Sequence, residues 1–155
     1  GIIRSGNIYG PGDLNMDRLV PHVIISSLLK KKSILRSNGK LIRDYIYVED
    51  VANAYYILMK KMMTSKEKLK IYNVGSKENL TVKNFVKLLT IMINGKEIFP
   101  IIKNNSKIEI YRQKLDYRKI KKDLNWTPKS NFKESLKTTI KWYKKNLNFF
   151  NGKLD

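Results

Sequence analysis

The chain has 155 residues, 42% of them hydrophobic and 29% charged, and 32 Lys and Arg against 13 Asp and Glu give it a formal net charge of +19. That length and apolar content support one packed core, or two small lobes sharing one, and are too rich in Ile, Leu and aromatics for a disordered chain. No apolar run reaches the roughly 18–20 residues of a membrane helix; the lack of cysteine excludes disulfides and thiolate metal sites, and a single histidine, His22, leaves no metal-ligand set and no Ser-His-Asp triad.

In chain order, residues 1–4 and 5–8 read as short buried strand, running into a turn at Gly10-Pro11-Gly12. The chain thus opens inside a strand, at Gly1-Ile2-Ile3-Arg4, and reads as a fragment. Leu19, Val20, Val23, Ile24 and Leu28 fall at helical spacing, with Pro21 tolerated in the first turn. Asp17 is the expected cap, and Lys30-Lys31-Lys32 is expected to close the helix against its negative end. Ser33–Ser37 predicts a strand, Asn38-Gly39 a hairpin-type turn, and Asp44–Val48 a further strand. Asp50 is expected to cap a helix whose core face is Val51, Ala54, Tyr55, Leu58 and Met62. After a polar loop, 70–75 predicts a strand. Thr81 caps a helix with Val82, Phe85, Val86, Leu89, Met92 and Ile93 inward, stopped by Asn94-Gly95. A strand over 98–102 is broken by Pro100. Asp116 caps a short helix ending near Leu124, and Trp126-Thr127-Pro128 breaks it. The last helix carries Phe132, Leu136, Ile140, Tyr143 and Leu147. The fold class is α/β.

The charge is lysine charge, 26 Lys to 6 Arg, spread from Lys30 to Lys153. A nucleic-acid surface concentrates Arg with interleaved aromatics. The spread reads as a solvated surface, with non-specific, salt-sensitive binding to polyanions as its consequence. A specific nucleic-acid partner is not expected. No membrane segment or secretory signal is evident, so a cytoplasmic location is the expectation.

Four segments in order carry a family resemblance. They are Arg4-Ser5-Gly6-Asn7-Ile8-Tyr9-Gly10-Pro11-Gly12-Asp13, then Arg43-Asp44-Tyr45-Ile46-Tyr47-Val48-Glu49-Asp50-Val51-Ala52, then Tyr72-Asn73-Val74-Gly75-Ser76, and last Leu124-Asn125-Trp126-Thr127-Pro128 with Thr139-Ile140-Lys141-Trp142-Tyr143. Together they resemble the C-terminal part of the NAD-dependent sugar-nucleotide epimerases and dehydratases, the extended short-chain dehydrogenase/reductases. Gly12-Asp13 and Asp17-Arg18-Leu19-Val20-Pro21 look most like CDP-glucose 4,6-dehydratase-like members, while 42–50 has the general form of the superfamily. The resemblance implies the last strand or strands of a Rossmann-type parallel sheet over 1–16. A small mixed α/β substrate-binding lobe would follow over 17–150, with 70–94 placed to pack back on the sheet and 151–155 as a tail.

The resemblance also implies what this chain lacks. The glycine-rich phosphate turn that holds NAD(P) and the family's Tyr-x-x-x-Lys pair lie in a Rossmann half not contained here. Tyr56/Lys60 and Tyr117/Lys121 have that spacing but read as coincidences of a Lys-rich chain. No catalytic residue is assigned. The expected partners are a nucleoside-diphosphate sugar, the missing Rossmann half and, in the full-length form, a second copy.

Substrate-binding candidates follow from matching positions. Asn7 is expected near the diphosphate, since an amide donates and accepts at once. Arg43 suits phosphate through its fixed, charged donors. Arg18 and the Leu19 backbone open a helix, where anions are favoured. Ile34 would lie along the base, with Arg36 reaching ribose or phosphate. Arg112, with Glu109 and Tyr111, falls in a loosely matching loop. His22 and the aromatics Tyr45, Tyr47, Tyr72, Trp126, Trp142 and Tyr143 read as packing. The rival functions are a 4-epimerase or reductase of the same superfamily, a basic nucleic-acid-binding module, and a truncated inactive product.

Overall fold

In the computed structural model, residues 1–66, 69–105 and 110–150 are described. Glu109 and the tail over 151–155 lie outside them. The strands are β1 (Ile2–Ser5), β2 (Asn7–Tyr9), β3 (Ile34–Leu35), β4 (Ile42–Arg43), β5 (Tyr45–Tyr47), β6 (Ile71–Val74), β7 (Leu80–Thr81) and β8 (Ile101–Ile102). The helices are α1 (Leu19–Leu28), α2 (Val48–Thr64), α3 (Val82–Asn94), α4 (Arg118–Leu124) and α5 (Phe132–Lys145). A 3-10 turn at Leu147–Phe150 follows. The strands form two-stranded ladders. β1–β6, β2–β5 and β3–β8 are parallel, with Ile3 opposite Tyr72 and Asn7 opposite Tyr45, and β4–β7 is antiparallel. Parallel pairs need long crossovers, and α2 supplies the one from β1's neighbourhood to β6. The class is α/β, as expected.

Two buried clusters hold these pieces. Ile46, Val51, Ala54, Leu58, Tyr72, Val74, Ile120 and Trp126 join β6, α2 and α4. The second joins α1, α3 and α5 around Tyr9, Tyr45, Phe85, Val86, Leu136 and Tyr143. Residues 45–47 are buried throughout because the strand is covered on both faces, Tyr45 and Tyr47 by one cluster and Ile46 by the other. Helix α3 begins and ends as its sequence predicts. The Thr81 hydroxyl accepts from the Asn84 N–H at 3.1 Å, and Gly95 ends it at φ 71°.

Several boundaries differ from the sequence reading. The strand expected over 44–48 is β5, one residue shorter at each end, and an unexpected strand, β4, precedes it across Asp44. β7 has two residues and no periodicity to reveal it. Arg18, not Asp17, occupies the cap position of α1, and Lys30–Lys32 lie past its C-terminal cap at Leu29. Asp50 sits in the first turn of α2, capped by Tyr47 instead. Its buried carboxylate accepts from the N–H groups of Lys129 (2.9 Å) and Ser130 (3.3 Å), and its carbonyl from the Trp126 indole (3.3 Å). Asp50 therefore fastens α2 to the turn before α5. Tyr55 faces solvent at 51% exposure rather than the core.

The chain break at Asp44 has a physical cause. Its side chain is fully buried. One carboxylate oxygen accepts from the Ser76 N–H (2.8 Å), the other from the Leu115 N–H (3.0 Å), and its carbonyl accepts from the Asn7 N–H (2.7 Å). The approach is close enough to require glycine twice. A Cβ on Gly6 would lie 2.6 Å from the Asp44 carbonyl oxygen, and one on Gly75 would lie 2.5 Å from the Leu115 carbonyl oxygen. Asparagine at 44 keeps one acceptor and turns an NH2 against a buried N–H. Asp44→Asn should therefore cost about 2 kcal/mol, from one buried donor left unsatisfied. Gly75→Ala should destabilise comparably through backbone displacement. Urea unfolding of the chain measures both, and a change under about 0.5 kcal/mol for Asp44→Asn would contradict this account.

Candidate functional site

The first residues of β2, the start of α1, the end of β3 and the β4–β5 junction enclose a cavity of about 650 Å³. Asn7, Arg18, Leu19, Ile34, Arg36 and Arg43 all line it. Six of the seven residues singled out in the sequence thus meet at one place, from positions up to 36 residues apart. Arg112 does not line it. It is exposed beside Ile42 and borders a second cavity of about 580 Å³ with Lys114 and residues 115–118.

Each side chain is held differently. Asn7 is exposed, and its Nδ2 lies 3.5 Å from Gln113 Oε1, at the limit of a hydrogen bond. Arg43, half-buried, donates from Nη1 to the carbonyls of Ile42 (3.0 Å) and Ile110 (2.7 Å). These two backbone carbonyls help orient the guanidinium. Arg18 instead pairs with Asp13 at 3.3 Å, and Arg36 with Asp17 at 2.5 Å. The Arg36–Asp17 pair is largely exposed and contributes little to stability, while Asp13 is the more sheltered partner of Arg18. Ile34 is exposed at the rim while Leu35, its neighbour, enters the core, as strand alternation requires.

Lys103 and Asn105 also line the cavity and were not singled out by sequence reasoning, and so do His22 and Tyr45, which were read as packing. Lys103 and Asn105 arrive because 101–105 runs beside β3: the Lys103 N–H donates to the Leu35 carbonyl and the Asn105 N–H to that of Arg36, each at 2.8 Å. Two-residue strands with distant partners leave no local signal. Among the described residues the lining holds four cations, Arg18, Arg36, Arg43 and Lys103, against one carboxylate, Asp17. The cavity therefore favours an anion, beside apolar surface from Leu19 and Ile34.

His22 is structural, as expected. Its Nε2 accepts from the Ile34 N–H at 2.9 Å, tying α1 to β3. Burial, with the nearby Arg36 guanidinium adding to it, holds the imidazole below its ordinary value. Tyr56 and Lys60 do not line the cavity; the ammonium sits over the ring at 4.5 Å on the exposed side of α2. Tyr117 packs edge-on against Trp126.

A dinucleotide's pyrophosphate needs a glycine-rich turn between a parallel strand and a helix. Here α2 starts directly from β5, with Val48 against Gly10, and α1 is entered through Asp17-Arg18. Among the described residues no helix is long and apolar enough to cross a membrane.

Residues 1–75 match the model of the NAD dependent epimerase/dehydratase family. A dTDP-glucose 4,6-dehydratase of Escherichia coli is 28% identical over 166 residues, covering 99% of this chain and 44% of that protein. A trifunctional UDP-glucose 4,6-dehydratase/UDP-4-keto-6-deoxy-D-glucose 3,5-epimerase/UDP-4-keto-L-rhamnose-reductase of Arabidopsis thaliana is 30% identical over 144 residues, 92% of this chain and 21% of that one. Among solved structures, UDP-glucose 4-epimerase of Thermotoga maritima with UDP-glucose aligns at TM-score 0.80 and 30% identity, over 94% of this chain and 46% of that chain. A dTDP-glucose 4,6-dehydratase of Bacillus anthracis in complex with NAD aligns at TM-score 0.77 and 26% identity, over 94% and 44%. This chain spans less than half the length of these relatives. Its homologues are enzymes of the NAD-dependent dehydratase/epimerase family.

The His22 bond predicts a pH dependence. The fold favours the neutral ring, so the unfolded chain takes up the proton more readily. Stability from this group is complete above the ordinary imidazole value of 6.5 and is lost as pH falls through the lower folded value. Between pH 7.5 and 5.5 the urea midpoint should drop. His22→Gln, which can still accept from Ile34, should flatten that slope; an equal slope in the variant would contradict the assignment.

Proposed function

From this kinship with NAD-dependent sugar-nucleotide epimerases and dehydratases, we propose that the chain is the part of a 4,6-dehydratase that holds a nucleoside-diphosphate sugar. The observation that carries the reading is the convergence of Asn7, Arg18, Leu19, Ile34, Arg36 and Arg43 on one cation-rich cavity. Arg43, oriented by two carbonyls, takes the diphosphate. Asn7 donates or accepts beside it. Leu19 and Ile34 offer apolar surface to the base, while Arg36 and Arg18 exchange a carboxylate for a ligand oxygen. Binding energy at the nucleotide end, remote from the reacting carbon, positions the sugar for chemistry performed elsewhere.

NAD supplies hydride acceptance in such enzymes, and no step here is assigned to this chain's residues. The Rossmann half, which the resemblance places upstream, is the proposed partner that brings the cofactor, and the full-length enzyme is proposed as a homodimer in the cytoplasm. A 4-epimerase or reductase is the second reading, supported by the 30% identity to a UDP-glucose 4-epimerase. The base stays a proposal in the same way. The names of the relatives carry dTDP and UDP, whereas Gly12-Asp13 and 17–21 resemble CDP-glucose enzymes.

Calorimetry of the chain with dTDP, UDP and CDP tests the reading. One of them should bind saturably at physiological salt, and Arg43→Ala should weaken it roughly 10- to 100-fold, the worth of hydrogen bonds to a charged group. Arg112→Ala should change affinity less than twofold. Binding only of polyanions, with a steep salt slope and no response to Arg43→Ala, would overturn the proposal.

A further inference from the structure

The core tyrosines dispose of their hydroxyls in a regular way, with one exception. Tyr9 meets the Ser135 hydroxyl at 2.5 Å, Tyr143 donates to the Asp13 carbonyl at 2.6 Å, and Tyr72 donates to Asp123 at 3.1 Å. Tyr45 is 2% exposed, and its hydroxyl has no hydrogen-bond partner among the described residues. A buried hydroxyl left unpartnered costs stability, and phenylalanine would fill the same space without that cost. The ring itself is packed in the core. It stacks on Phe85 with centroids 3.9 Å apart and planes 14° from parallel.

Its position explains the cost. Tyr45 and Arg43 flank Asp44, and both form the wall of the 650 Å³ cavity. The Arg43 charge acts on the phenol, while burial more than offsets it and keeps the proton in place. A protonated phenol shielded from water is a donor waiting for an acceptor that arrives with a ligand. We infer that the Tyr45 hydroxyl is a ligand-binding group of this cavity, donating a hydrogen bond to the phosphate oxygen that seats on Arg43. The inference rests on the nucleoside-diphosphate reading proposed above and adds a residue to it.

Tyr45→Phe separates this role from a packing role, because the ring and its stack on Phe85 are retained. Two properties are read on the full chain: urea stability, and calorimetric affinity for UDP and dTDP. Stability should be unchanged or higher. Affinity should fall roughly five- to thirtyfold. In an Arg43→Ala background the same substitution should cost less than half as much on a logarithmic scale, since both groups address one oxygen. Unchanged affinity with wild-type binding intact would overturn the inference alone, as would a fall in affinity accompanied by lost stability. Absence of binding by the wild-type chain would overturn the inference and the functional reading together.

Discussion

The buried carboxylate of Asp44 is the constraint from which the site follows. It draws the N–H groups of Ser76 and Leu115 onto its two oxygens while its own carbonyl takes the Asn7 N–H. Three segments distant in sequence are thereby fixed around one residue. Its chain neighbours, Arg43 and Tyr45, are left on the cavity wall, and Asn7 is delivered opposite Tyr45 in the parallel register. A polar group taken from water must find such partners or lose the solvation it gave up. The glycines at 6 and 75 are what lets backbone come close enough to supply them.

The electrostatics of the cavity depend on how its cations are held. Arg18 and Arg36 are balanced by Asp13 and Asp17, the second pair exposed to water that screens it. Arg43 is steadied by the Ile42 and Ile110 carbonyls. On the proposed reading a ligand anion meets Arg43 together with Arg18 and Arg36. The apolar side of the cavity is continuous with the core of α1, α3 and α5, since Val20, Leu35, Tyr45 and Val82 belong to both.

Much of this was legible in the sequence where local rules decide. Thr81, Gly95 and the apolar spacing of 82–93 specify α3 almost to the residue. The Arg43-Asp44 and Asn7 segments announced themselves through the family pattern. What was not legible depends on distant pairing. Asp50 looks like a helix cap because its sequence context is that of one, yet its carboxylate serves Lys129 and Ser130, which no local pattern links to it. Tyr55 has helical spacing but falls on the outer side of α2. Lys103 and Asn105 reach the cavity only because β8 lies against β3. Arg112 was placed by a loose match in a loop and borders a different cavity.

The proposed function makes one cavity, rather than the lysine surface, the binding face of this chain. Amide chemical-shift mapping during a titration with UDP or dTDP separates the two. Saturable shifts concentrated at Asn7, Leu19, Ile34, Arg43 and Tyr45, retained at physiological salt, are expected. Shifts scattered over the exposed lysines of α2, α4 and α5, and vanishing as salt is raised, would contradict it.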